Sequence, residues 1–209
     1  MPEAQDRRES PERLIFLSDA VVAIALTLLA VELPVPSAGS RNAFLSSLHH
    51  NQSHYVAFLT SFIVVAVAWR NHRAMSVLVT KSDPTFETLN FVWLLTVVLL
   101  PFAAKLLSLH RGSTVFVHAC AFGFYALIEM LSSVVVIVML RHARAKGWVQ
   151  ANSDKEISRL QRTCVSFVTG FGLSIPLFFV TNYAWTLWVI GPIVTHLVFK
   201  LTGSAEVRA

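Results

Sequence analysis

The sequence predicts an all-α integral membrane protein with six transmembrane helices, and three observations lead there. Mean hydropathy is +0.60, and 55% of the 209 residues are hydrophobic against 14% charged, which is too apolar for a soluble domain of this length. Six apolar stretches, at about residues 14–33, 55–79, 89–109, 115–140, 160–181 and 183–201, alternate with short polar segments that carry most of the charge. Assigning those segments alternately to the two sides of a bilayer separates the basic residues. One side holds Arg7, Arg8, Arg13, Arg70, Arg73, Lys81, Arg141, Arg144, Lys146, Lys155, Arg159, Arg162, Lys200 and Arg208; the other holds only Arg41, Lys105 and Arg111. Fourteen against three places both termini in the cytosol and makes residues 1–209 a single six-span domain.

The first span, residues 14–33, is interrupted only by Ser18, Asp19, Thr27 and Glu32. Twenty residues at about 1.5 Å each cross the roughly 30 Å hydrocarbon layer. Ser10 and Pro11 are suited to start the helix, as cap and first residue. The flanks are unlike those of a cleavable signal peptide, because the start is acidic as well as basic and no small-residue cleavage site precedes Pro34. In the second span the run Arg70-Asn71-His72-Arg73 interrupts an apolar pattern that resumes at Ala74, as expected of a helix continuing into the cytosol. The third to sixth spans are long apolar runs; Gly170, Gly172 and Pro176 in the fifth suit close packing and a kink.

Several function classes are excluded or lack support. The net charge of +5 is spread as a topology signal, so no nucleic-acid partner is implied. Cys120 and Cys164 fall at or near spans and read as packing residues, with no disulfide framework or zinc site. His49, His50 and His54 have no carboxylate or thiol nearby and read as a solvated outer loop, so no metal or other cofactor is expected. No nucleophile elbow, His-Glu-x-x-His pair, Walker loop or dinucleotide fingerprint is present, so the chain is not read as an enzyme. The Thr-Val-Gly-Tyr-Gly filter is absent as well, and any channel here must select ions by another device.

The most informative residue is Asp19, since a carboxylate inside a span costs at least a few kcal/mol unless it faces protein or a water-filled path. At about 100° per residue, Leu17, Ala20, Ile24, Thr27, Leu28 and Val31 form one stripe of the first helix. Asp19 lies about 140° from Ile24, Ser18 about 120° away on the other flank, and Arg13 only about 20° from Ile24. An aliphatic stripe ordinarily faces lipid or a neighbouring helix. Thr27 within it and Glu32 at its outer end suit a narrow cation path instead. Trp69 and His72, three apart on one helix face, offer donors that Asp19 needs. Glu129 in the fourth span is a second intramembrane acid, read as an inter-helix or subunit hydrogen bond.

Arg13-x-x-x-Leu17-Ser18-Asp19, followed by Ile24, Thr27 and Glu32-Leu33, resembles the R-x-x-x-F-S-D signature of the transmembrane protein 175 family, potassium channels of lysosomes and their prokaryotic relatives. Ser61-Phe62 and Trp69-x-x-His72 resemble its second-helix pattern, and Asn90 with Leu100-Pro101-Phe102 its third. Leu17 replaces the aromatic of the signature, with Phe16 beside it, and Ala20 stands where the family often has glycine. The resemblance implies a potassium-selective channel of the prokaryotic plasma membrane, a homotetramer whose first helices line the pore. It implies Ile24 as the hydrophobic constriction, Leu28 and Val31 as further narrowings, Thr27 as a polar layer and potassium as the permeant ion. Glu32 would mark the outer mouth, and Arg13, Ser18, Asp19, Trp69, His72 and Asn90 the signature and inter-helix network. The alternative is a secondary or proton-coupled cation transporter with Asp19 and Glu129 as its titrating pair.

Overall fold

A computed structural model describes residues 3–108, 114–181 and 186–188. Six helices fill the described residues: α1 (Glu3–Val31), α2 (Arg41–His50), α3 (Gln52–Leu78), α4 (Pro84–Ser108), α5 (Val115–Ala145) and α6 (Asp154–Phe178). Four segments, Glu12–Val31 and the whole of α3, α4 and α5, are long and apolar enough to cross a membrane. Helix α6 covers most of the stretch 160–181, but Asp154, Lys155, Glu156, Arg159 and Arg162 charge its first turns and it is not among the four. Apart from 186–188, the expected sixth span, 183–201, lies outside the described residues.

One local expectation is corrected, and one element was not anticipated. Helix α1 does not start at Ser10; it begins at Glu3 and runs through Pro11, because Glu3, Ala4, Gln5, Arg7, Arg8 and Glu9 include strong helix formers that extend it upstream. The connection after α1 carries an additional short helix, α2, capped by the Ser40 hydroxyl accepting from the Ala43 N–H at 3.1 Å. None of its residues is buried. A ten-residue polar helix leaves no trace in a search for 20-residue apolar runs.

Helix α4 is the hub, packed against α1, α3 and α5. Phe86, Asn90, Trp93, Leu94, Val97, Leu100, Pro101, Ala104 and Ser108 recur every three or four positions along one buried face, and Thr96 and Ala103 widen it on one flank, as contact with three neighbouring helices requires. Helix α6 packs on α5 and α3, and aromatic side chains fill that seam: Phe122 and Tyr125 stack on Trp188 with ring centres 4.8 and 5.0 Å apart. Helix α1 contacts only α3 and α4 among the described helices. One of its faces is therefore left uncovered by the described helices.

At one end of the bundle the α3–α4 and α5–α6 connections are clasped together. Val79 and Val149 form an isolated antiparallel bridge, in which the Thr80 N–H donates to the Trp148 carbonyl at 2.8 Å and the Gln150 N–H to the Leu78 carbonyl at 3.0 Å. The turn that delivers Trp148 depends on Gly147, whose φ of 68° is left-handed. Its N–H donates to the Arg144 carbonyl, and that of Trp148 to the Ala143 carbonyl, closing α5 with a Schellman motif. Asp83 completes the clasp, accepting from the Phe86 N–H at 2.8 Å and lying 3.0 Å from His142 Nε2. The Phe86 N–H, and after it His142, hold the Asp83 carboxyl below its usual range.

A group whose pKa is depressed by folding stabilises the fold above its unfolded value, roughly 3.9, and loses that contribution as pH falls through the native value. Asp83→Ala is accordingly expected to lower the thermal midpoint of the purified protein at neutral pH. The deficit relative to wild type should narrow below about pH 4. An unchanged midpoint at neutral pH would show that the clasp does not depend on Asp83.

Candidate functional site: the first helix and its anchors

The two faces of α1 are treated oppositely by the fold. Ser18, Val22, Ala25 and Leu29 are buried against the bundle, whereas Leu17, Ala20, Ile24, Thr27, Leu28 and Val31 are all exposed on the isolated chain. Ile24 is 60% exposed and Val31 79%. The stripe therefore does not pack on another described helix of its own chain. The Thr27 hydroxyl donates to the Ile24 carbonyl at 2.7 Å, which commits its hydrogen and leaves the oxygen to accept or to coordinate.

Two polar anchors hold the opposite side. In the first, Asp19 bridges to α3: Trp69 Nε1 donates to one carboxylate oxygen at 2.6 Å and Arg73 Nη1 to the other at 2.6 Å. The Arg73 guanidinium also lies 5.7 Å from the centre of the Trp69 ring. In the second, Ser18 reaches α4. The Asn90 amide donates to Ser18 Oγ at 3.2 Å while Ser18 Oγ donates to the Leu14 carbonyl at 2.8 Å, an arrangement that uses the single hydroxyl hydrogen once. Asn90 Oδ1 lies 2.8 Å from His72 Nε2, and since an amide oxygen only accepts, that nitrogen carries the hydrogen. The His72 ring stacks on Trp93 at 3.7 Å.

The six network residues thus separate. Ser18, His72 and Asn90 form a buried chain, Asp19 and Trp69 a second, half-buried contact, and Arg13 is exposed and joins neither. Asp19 was expected to receive bonds from groups such as Trp69, His72 or Asn90; of these it receives Trp69 alone, because His72 is already committed to Asn90. Its second partner is Arg73, which the sequence marks only as one of the basic residues that signal topology. The spacing Trp69-x-x-x-Arg73, one helical turn, was the available clue.

At the C-terminal end of α1, Glu32 is paired with Lys105 on α4 at 2.7 Å, both side chains about half exposed. Its charge is locally compensated, although a pair this exposed contributes little stability, about 0–1 kcal/mol. Glu129 is buried on α5. Helices α1 and α5 make no contact among the described residues, so Asp19 and Glu129 are not brought into one site.

A bundle of apolar helices, with one helix locked by polar anchors and baring an aliphatic stripe on its other side, defines a multi-pass membrane protein with an unpaired helix face. Comparison with known proteins then narrows the class. Residues 13–101 match the family described as "Endosomal/lysosomal potassium channel TMEM175". A potassium channel of Chamaesiphon minutus is 34% identical over 148 residues, 68% of this chain and 70% of that one. The "Endosomal/lysosomal proton channel TMEM175" of Rattus norvegicus is 27% identical over 104 residues, 49% of this chain and 21% of that one. The crystal structure of a lysosomal potassium-selective channel TMEM175 homolog from Chamaesiphon minutus superposes with a TM-score of 0.72 at 26% identity, covering 93% of this chain and 98% of that one. The chain belongs to the TMEM175 family.

Removing Asp19 leaves the part-buried Trp69 indole N–H without its acceptor, while the 48% exposed Arg73 side chain turns to solvent; a hydrogen bond to a charged group contributes about 1.5–3 kcal/mol. Asp19→Ala should therefore reduce the yield of assembled protein on size exclusion, while the protein that does assemble retains its ion preference. A variant that assembles normally with altered selectivity would place Asp19 on the ion path.

Proposed function

We propose that the chain is one subunit of a potassium-selective cation channel in a prokaryotic plasma membrane. Four copies surround a pore lined by α1, and both termini face the cytosol. The observation that carries this reading is the exposed stripe of α1 facing away from a helix side fixed by Ser18 and Asp19. Family membership supports the activity: relatives carry the name potassium channel, and the structural neighbour is described as potassium-selective. The basic residues concentrated on one side of the bilayer support the orientation.

In this arrangement Ile24 contributes to a ring of four side chains that cannot coordinate an ion. Such a ring acts by narrowing and dewetting the path, so a permeating cation must shed part of its water. Potassium sheds water more readily than sodium, and the constriction favours it without a carbonyl filter. Thr27 sits one turn further along the stripe and supplies oxygens whose hydrogens already point to the Ile24 carbonyl. Leu28 and Val31 narrow the path above it, and Glu32 with Lys105 borders the outer mouth.

Potassium and sodium flux through liposomes reconstituted with the purified chain tests the proposal. Passive flux down either gradient with potassium preferred is the expected result, and flux only against a counter-ion would mean a carrier. Ile24→Asn should raise conductance and weaken the preference by wetting the constriction; unchanged flux would remove Ile24 from the pore. Thr27→Val, nearly constant in shape, should lower potassium preference without widening the path, and untouched selectivity would place the polar layer elsewhere.

A further inference from the structure

Among the described residues four buried side chains carry a polar atom with no hydrogen-bond partner, and three of them, Ser61, Tyr125 and Glu129, belong together. The fourth, Trp93, is stacked on His72. Glu129 is 2% exposed and one helical turn along α5 from Tyr125, which is fully buried, so the two side chains share a helix face. Ser61, also fully buried, faces Tyr125 from α3. The Tyr125 ring is held in the aromatic seam by Trp188, which leaves its oxygen as the polar tip. No lysine, arginine or histidine pairs with Glu129 among the described residues.

Three buried side-chain oxygens on two packed helices, none with a hydrogen bond of good geometry to a described group, is an arrangement that native interiors rarely leave unmet. What joins them must both donate and accept, and must fit between side chains of two packed helices. An apolar ligand would leave all three groups desolvated. A potassium ion needs more oxygen ligands than these three side chains provide. Water meets each requirement, since a buried water is typically held by two to four polar partners.

We propose that Ser61, Tyr125 and Glu129 form a water-binding site inside each subunit, where about one or two bound waters link the Glu129 carboxyl to the two hydroxyls. The site is separate from the α1 stripe, because α5 packs on α3, α4 and α6 and has no contact with α1 among the described residues. Its role is to tie α3 to α5 inside the membrane. Helix α3 is thereby held from two sides, through bound water here and through Trp69, His72 and Arg73 toward α1 and α4.

Hydroxyl-radical footprinting with X-rays on the full chain in lipid nanodiscs tests this, because radicals born from bound water modify adjacent side chains even in a membrane core. With rates normalised to the denatured protein, Tyr125 should be modified at least several-fold faster than Phe171, which is equally buried at 0% exposure. Glu129→Leu should bring Tyr125 down to the Phe171 rate, and Glu129→Gln, which keeps the polar shape, should not. If Glu129→Leu yields no folded protein, Ser61→Ala should lower the Tyr125 rate in its place. A wild-type Tyr125 rate no higher than that of Phe171 would overturn the proposal. A thermal midpoint that rises with potassium in the wild type but not in Glu129→Gln would also overturn it, in favour of a cation site.

Discussion

The arrangement rests on the requirement that the two polar residues midway along α1 be satisfied within the bundle. Ser18 and Asp19 are adjacent in sequence and therefore about 100° apart on the helix, and each is met by a different neighbour: Asn90 of α4 for the serine, Trp69 and Arg73 of α3 for the aspartate. Two bonds in different directions fix rotation as well as position. Turning α1 by one residue would carry Asp19 out of reach of both donors and strand them, which makes the observed rotation strongly preferred over its neighbours.

Once rotation is fixed, the exposed stripe follows from the helix period alone. Val22, Ala25 and Leu29 continue the buried side begun by Ser18, and the residues opposite are necessarily outward. Ser18 and Ala25 on the buried side are small and allow close approach to α4, whereas the outward side is apolar apart from Thr27. A purely lipid-facing surface has no need of Thr27 within it. Its hydroxyl satisfies itself on the Ile24 carbonyl, so it is tolerated at any orientation and its oxygen remains available to an ion.

Much of this was legible in the sequence because membrane spans are written in runs of about 20 apolar residues. The stripe on α1 was legible for the same reason that its rotation is fixed, namely that Asp19 and Ile24 are far apart on the wheel. The partner of His72 was less legible: Trp69 and His72 share a helix face, yet Asn90 lies between His72 and the first helix and takes its bond. Arg73 was hidden by its place in a basic cluster whose bulk serves topology. Helix α2 and the clasp of Thr80 with Trp148 were invisible, since one is short and polar and the other depends on two connections meeting in space. Lys105 opposite Glu32 needed the packing of α1 on α4 and follows from no spacing along the chain.

The central claim is that the uncovered face of α1 is the wall of the ion path rather than a lipid surface. Cysteine substitution along α1 in a background with Cys120 and Cys164 replaced by serine, followed by a small hydrophilic thiol reagent during potassium flux, addresses it directly. The account predicts block at Leu17, Ala20, Ile24, Thr27, Leu28 and Val31 and none at Val22, Ala25 and Leu29, a pattern with the period of one helix face. Block that ignores the stripe, or is confined to the buried positions, would contradict it.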